Sequence, residues 1–422
     1  MRMKKTVVII TFLLMASLLA SGSQSPIIWE VKVPGTVESV RLTPEGAYVG
    51  FGHIDNIKGV IWYRGNVSFY TLNGSEEWTQ EVGFVRKLEP LDGRLIVGTD
   101  ISRGPEDWFG ALGKVWLLKE NGSIMSGNIT YGSFFDFDLK DSLYVVDGWW
   151  IGEGRANETW GRLYRWEITG EGIKEDWFLE LNGTLGRVRK GDRIVYVGSG
   201  APSGYRMKYY FGNVYGVSED GKLLWSVDTK WWVRDLELWR NRALVGTGFE
   251  NVAGKLFLIN SEGNVEWEGD SFYVEDIEIN GDTAYIGGVE GDTGKLEALD
   301  LNSKEVLWEA NFPYRVKVVK FHEGKLLVGT GAFKQENGTT YDMGLFYVVD
   351  PTNGKVLMEL DTGYVRSLDA LGDEVLVGTG RGRVYLINLD AKDRERAYVY
   401  IGVGIILVVL AGIVGKVGRK KA

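Results

Sequence analysis

"IIWEVKV" (residues 27–33) alternates in the manner of a half-buried strand around a tryptophan, yet no repeat unit of its own surrounds it. The far end of the chain offers the complement. "GYVRSLDALGDEVLVGTGRGRVYLINLD" (363–390) reads as three short strands and then breaks off before an apolar run. Whether the first segment completes the last unit decides the fold.

Between these two stretches the chain repeats itself. One landmark is an apolar strand ending in glycine: "YVGFG" (48–52), "LIVGT" (95–99), "VYVGSG" (195–200), "ALVGTG" (243–248), "AYIGG" (284–288), "LLVGTG" (326–331) and "VLVGTG" (375–380), with "LYVVDG" (143–148) as a weaker eighth copy. A loop and a second strand follow each, and several of these strands end in Asn-Gly or Asp-Gly turns. A third strand then carries Trp78, Trp177, Trp225, Trp267 or Trp308, with Met125 and Met358 in two other copies. The period, about 41 to 54 residues, is that of a four-stranded propeller blade. Inner strands near Val37, Val85, Phe135, Val188, Val233, Val274, Val316 and Val365 open the eight units. The eighth has no Trp strand, and Trp29 in 27–33 supplies one. The expected fold is therefore all-β: an eight-bladed β-propeller closed by the N-terminal strand, with seven blades as the alternative if the third unit merges with its neighbour.

Composition agrees with many short strands and tight turns: 422 residues with 58 glycines, 8 prolines and 13% aromatics. The net charge of −9 argues against a nucleic-acid partner, because a phosphate-binding surface carries a basic excess. The chain has no cysteine, which excludes disulfides, thiolate metal sites and cysteine nucleophiles. His53 and His322 are its two histidines and stand on different units, so metal ligation by histidine clusters and Ser-His-Asp chemistry have little support. No catalytic residue and no metal site is expected.

The ends carry targeting signals. "MRMKK", the apolar "TVVIITFLLMASLLA" and the small residues after it have the order of a secretory signal, so 1–25 read as a signal peptide or N-terminal anchor. The propeller occupies 26–390 and a tether 391–396. "AYVYIGVGIILVVLAGIVG" (397–415) is uncharged and about 28 Å long as a helix, enough to span a bilayer. Lys416, Arg419, Lys420 and Lys421 lie in the basic tail 416–422, which the positive-inside rule keeps cytoplasmic. The expectation is a single-pass protein of the cell membrane with its propeller outside.

The spacing "vGTG…G.vy.ld..Gk..W", cleanest in "GKLEALDLNSKEVLW" (294–308) and "GNVYGVSEDGKLLW" (212–225), resembles the pyrroloquinoline-quinone-like (quinoprotein-like) propeller repeat over about 27–390. Quinoprotein dehydrogenases of this shape add a vicinal cysteine pair facing the cofactor, which this chain cannot make. Many relatives with these repeats bind no quinone and act as scaffolds. The resemblance thus implies a membrane-anchored binding scaffold of the cell envelope with no cofactor; a pyrroloquinoline-quinone-dependent oxidoreductase is the alternative.

Three groups of residues are candidate sites. Counting twelve positions back from the glycines at 50, 98, 246, 287, 329 and 378 gives Glu38, Arg86, Arg234, Glu275, Lys317 and Arg366, six charges projected into one ring around the axis. That ring either binds a small anion or satisfies itself by ion pairs between neighbouring blades. The loops between the second and third strands hold Trp62, Trp108, Trp149, Trp150, Trp160, Tyr205, Tyr209 and Tyr210, aromatics suited to a protein- or glycan-binding face. Topology puts those loops on the face away from the membrane; packing of the rings among the loops is the other reading. Sequons at Asn66, Asn73, Asn121, Asn128, Asn157, Asn182 and Asn337 fit a glycosylated outer surface, although Asn-Gly-Ser and Asn-Gly-Thr are also ordinary turn sequences.

Overall fold

A computed structural model describes residues 25–57, 60–102, 111–150, 159–201, 211–336 and 339–390. Among the described residues are eight four-stranded antiparallel sheets. Their innermost strands are Thr36–Thr43, Phe84–Leu91, Ser133–Leu139, Thr184–Lys190, Trp232–Trp239, Tyr273–Asn280, Val316–His322 and Val365–Leu371. We number the blades 1 to 8 by these strands. Each inner strand packs against those of both neighbouring blades, and blade 8 packs against blade 1, so the row is a ring. The third unit stands as a blade of its own, and the count is eight rather than seven.

Closure is made by Ile27–Lys32, which pairs antiparallel with Arg383–Asn388: Trp29 lies opposite Leu386 and Lys32 opposite Arg383. Val33 N donates to Gly382 O (2.7 Å) and Asn388 N to Pro26 O (2.8 Å), so pairing extends past both strand ends. The first and last segments thus remove the seam that two free sheet edges would leave.

Two repeated contacts lock blade to blade. Near the axis, an inner-strand valine sits over the glycine of the preceding blade: a Cβ on Gly50 would come within 2.4 Å of Val85, and one on Gly378 within 2.4 Å of Val37. That close approach explains the glycine at the end of each apolar strand. At the rim, the outer-strand tryptophan reaches the next blade's hairpin turn. Trp29 donates its indole N–H to Leu72 O (3.0 Å), Trp177 to Glu219 O (3.1 Å), Trp225 to Ser261 O (2.9 Å) and Trp308 to Pro351 O (2.8 Å). Each ring lies on a glycine of positive φ, namely Gly74, Gly221, Gly263 and Gly354, which frees the space a side chain would fill. In blade 2, where Met125 replaces the tryptophan, Ser126 Oγ accepts the Ile173 N–H of blade 3 instead (3.1 Å).

Blade 3 departs from the glycine rule. Val146 takes the place opposite Asp136 that glycine holds elsewhere. Beside it, buried Asp147 accepts Gly132 N (2.7 Å), Arg162 N (2.6 Å) and Tyr164 Oη–H (2.9 Å). Burial pushes the Asp147 carboxyl up to about 6.

Some stretches expected to be loops are strands. Gly46–Ile57 and Val60–Tyr70 pair through Asp55 and Trp62, extending the blade 1 hairpin well beyond the sheet. Leu143–Trp150 and Thr159–Ile168 set Trp149 opposite Trp160. Ala332–Glu336 and Thr339–Met343 form a separate hairpin at blade 7. Aromatic and β-branched residues favour cross-strand pairing, so these segments stay extended rather than looping. Among the described residues no helix is long and apolar enough to cross a membrane; all of the expected segment 1–25 but Ser25, and the segments 391–396, 397–415 and 416–422, lie outside them.

Candidate functional site

All eight inner strands break register at the same place. The skipped residues are Glu38, Arg86, Phe135, Gly186, Arg234, Glu275, Lys317 and Arg366. The six charges found by counting from glycines are thus bulge residues, and the bulge is what keeps their offset constant. Blades 3 and 4 hold Phe135 and Gly186 there, so they contribute no charge to this layer.

The bulges lie toward the start of each inner strand, at the end of the channel that carries the loops between second and third strands. Four aromatic side chains stand two residues earlier, and the arginines lie over them. Arg86 covers Phe84 (4.4 Å from guanidinium carbon to ring centre), Arg234 covers Trp232 (4.1 Å) and Arg366 covers Tyr364 (5.1 Å); Arg315 lies 5.4 Å from the Tyr273 ring. At these distances the ring faces attract the guanidinium charges and help hold them at the mouth.

Pairing at this mouth is uneven. Arg366 forks onto Glu38 across the closing seam, both contacts of its Nη2 being 2.7 Å. Arg86 turns away from Glu38 to Asp100 of its own blade (2.8 Å), whose other oxygen accepts Phe134 N (2.9 Å). Glu275 receives three cations: Arg315 at 2.5 Å, Lys317 at 2.7 Å and Arg234 at 3.1 Å. Burial alone would raise its pKa, but Lys317, Arg234 and Arg315 hold it well below the usual carboxylate range.

Farther along the same strands the channel is acidic and stitched across blades. Inner strands form the free edge of each sheet, and their unpaired N–H groups need acceptors. Ser39 Oγ accepts Leu88 N (3.1 Å), Asp235 accepts Ile277 N (2.8 Å), Asp276 accepts Val319 N (2.7 Å) and Asp369 accepts Leu42 N (2.9 Å). Asp136 pairs with Lys87 (2.7 Å) and Arg189 (2.8 Å), Asp235 with Arg187 (2.8 Å), and Glu237 with Arg189 (2.6 Å). Among the described residues Asp276 makes no ion pair, and Arg187 offsets only part of the effect; burial first and the Asp235 charge next push its carboxyl up to about 8. Glu278, which accepts Phe321 N (3.0 Å), is pushed up to about 7, chiefly by burial.

On the outer part of the loop-bearing face, a groove of about 530 Å³ opens between blades 1 and 2, lined by Trp62, Tyr63, Arg64, Glu81, Ser102 and Trp116 among others. Tyr63 N donates to Ser102 Oγ (2.9 Å), and the Trp116 indole N–H donates to Val82 O (2.9 Å), which fixes both walls. On blade 3, Arg162 lies over Tyr131 (4.3 Å), Phe178 (4.6 Å) and Trp149 (5.6 Å). Trp62, Trp149 and Trp160 are half-buried and belong to two separate blades; Trp108, Tyr205, Tyr209, Tyr210 and the Trp150 side chain lie outside the described residues. Trp116 escaped the sequence reading because it lies within the strand Ala111–Lys119 rather than in the loop before it. The Arg–aromatic mouth was also missed, although "FVR" (84–86), "WVR" (232–234) and "YVR" (364–366) spell it out.

Of the sequons, Asn73, Asn121 and Asn182 are exposed, and Asn66 and Asn128 are half-buried on strands. Asn73 and Asn121 each accept the N–H two residues on (3.1 Å), the turn role that their sequence also allowed. Asn157 and Asn337 lie outside the described residues. No group of three or more metal-ligating side chains occurs among the described residues.

No family model matches this chain, and no curated protein does. Solved structures do. Sqt1 of Saccharomyces cerevisiae superposes with a TM-score of 0.62 at 11% identity, over 86% of this chain and 99% of its own. The Dos1 propeller gives 0.58 at 12% identity, over 85% and 94%. BamB from Moraxella catarrhalis, a pyrroloquinoline-quinone-like β-propeller, gives 0.53 at 12% identity, over 85% and 98%. At such identities the likeness establishes the propeller fold.

Proposed function

We propose that this chain is a binding scaffold of the cell envelope: a membrane-anchored extracellular propeller of quinoprotein-like type that holds a protein or glycan on the face turned away from the bilayer. The observation that carries the reading is the opposition of two faces. The aromatic groove of Trp62, Tyr63 and Trp116 opens on the loop-bearing face. Both chain ends leave from one corner of the other face, where Pro26 O and Asn388 N are 2.8 Å apart. An apolar segment follows each end in sequence, 397–415 after a short tether and 6–20 before residue 27. A tether there leaves the groove free for a partner, and rigid aromatics on paired strands give contact area at small entropic cost.

Crosslinking on intact cells, followed by capture of the full chain, tests this. A protein or glycoconjugate captured by the wild type and lost from a Trp62→Ala, Tyr63→Ala double variant supports the reading. Capture that is equal in both chains overturns the groove as the binding surface. Protease protection of the tail 416–422 in sealed cells, with digestion of the propeller, is the expected topology.

A further inference from the structure

We infer that the channel mouth on blades 5 to 7 is a binding site for a carboxylate, presented either by a free small anion or by an acidic peptide. The inference stands apart from the scaffold reading, because it concerns the axis and not the groove.

The argument is one of charge left over. At blades 8 and 2 the mouth balances itself, Arg366 with Glu38 and Arg86 with Asp100. At blades 5 to 7 one carboxylate, Glu275, faces three cations, Arg234, Arg315 and Lys317. Among the described residues, two positive charges therefore have no counter-charge at a half-buried place, where screening is weaker than on an open surface and attraction for an anion is stronger. Donors are left over as well. Among the described residues, the buried Nε of Arg234 and the buried indole Nε1 of Trp232 have no hydrogen-bond partner. A buried donor without an acceptor costs free energy until one arrives. Space is available beside them: a Cβ added at Gly186 would lie 3.8 Å from Trp232 Nε1, with nothing nearer. Forked guanidinium groups stacked on rings fit a planar oxyanion better than a halide. The acidic layer below closes the site from the other side, so an anion enters from the loop-bearing face and stops at the mouth.

Calorimetry on the full chain in detergent micelles, in low-chloride buffer, tests this with two probes: succinate, and a short Asp/Glu-rich peptide. The informative variant is Arg315→Gln with Lys317→Met, which removes the surplus and leaves the Arg234–Glu275 pair intact, so folding is not at stake. Binding of either probe to the wild type, weakened roughly tenfold or more in that variant and unchanged in Lys320→Met at the acidic end, supports the site. Succinate binding points to a small anion and peptide-only binding to a protein. A second variant, Gly186→Ala, adds a methyl where there is room and is expected to weaken binding without loss of thermal stability. No heat with either probe, or equal affinity in wild type and double variant, overturns the proposal whatever the crosslinking result at the groove.

Discussion

Glu275 and Asp276 are neighbours on one strand, and they mark two adjacent layers of the channel. Glu275 faces three cations and is held ionised well below the usual range; Asp276 faces other carboxylates and is pushed up to about 8. The same eight strands line both layers, and the bulge that separates them occurs in every blade. What differs is the residue type placed on either side of it. A propeller can thus set charge along its axis layer by layer without changing its backbone, because each layer repeats at a fixed offset from the bulge.

The contrast predicts opposite effects from two conservative changes. Glu275→Gln leaves Arg234, Arg315 and Lys317 crowded together and is expected to cost about 3–5 kcal/mol in urea unfolding. Asp276→Asn is expected to stabilise the chain at pH 8 by roughly 1–2 kcal/mol, since it removes a charge that the site resists. A loss in both would end the comparison.

The pH dependence should separate the layers further. Asp276, with its raised pKa, keeps its proton in the folded chain and loses it in the unfolded one between about pH 4 and 8, so stability falls as pH rises through that window. Glu278 adds to the fall up to about pH 7. Glu275 acts the other way: its contribution is present above the ordinary glutamate pKa and is lost only as pH drops far below it. Thermal unfolding followed across pH 4–9 should show a decline that is flatter in Asp276→Asn and undiminished in Glu275→Gln. Lys317→Met should cost less than about 1 kcal/mol, because two cations remain on Glu275. Smallest of all, Phe84→Leu should cost about 0.5–1 kcal/mol by removing the ring under Arg86. A larger loss there would mean that Phe84 holds the blade interface rather than the guanidinium.

Much of this architecture was legible because the repeat carries its own ruler. Valine over glycine, or Phe134 over Gly98 in blade 2, fixes the register between blades, so glycines 50, 98, 246, 287, 329 and 378 locate six bulge residues. The same ruler fails in blade 3, where Val146 replaces the glycine; in blade 4 it leads from Gly198 to the bulge at Gly186, which carries no charge. Pair partners were less legible. The order of charges around the ring placed Glu38 between Arg366 and Arg86, but Asp100 arrives from a second strand of blade 2 and takes Arg86. Such a partner is set by the sheet, not by ring order. Arg187, Arg189 and Asp136 likewise meet across blades through layers that counting to a single position could not resolve.

The closing strand also sets an order of events during synthesis. Ile27–Lys32 is made before every other described strand of the ring, yet its partner is Arg383–Asn388. Throughout elongation, Ile27, Ile28 and Trp29 wait as an unmatched apolar edge, the kind of surface that recruits chaperones or stray strands. Closure of the ring therefore waits until Arg383–Asn388 has been made, and a chain lacking residues 383–388 would have blades but no clasp.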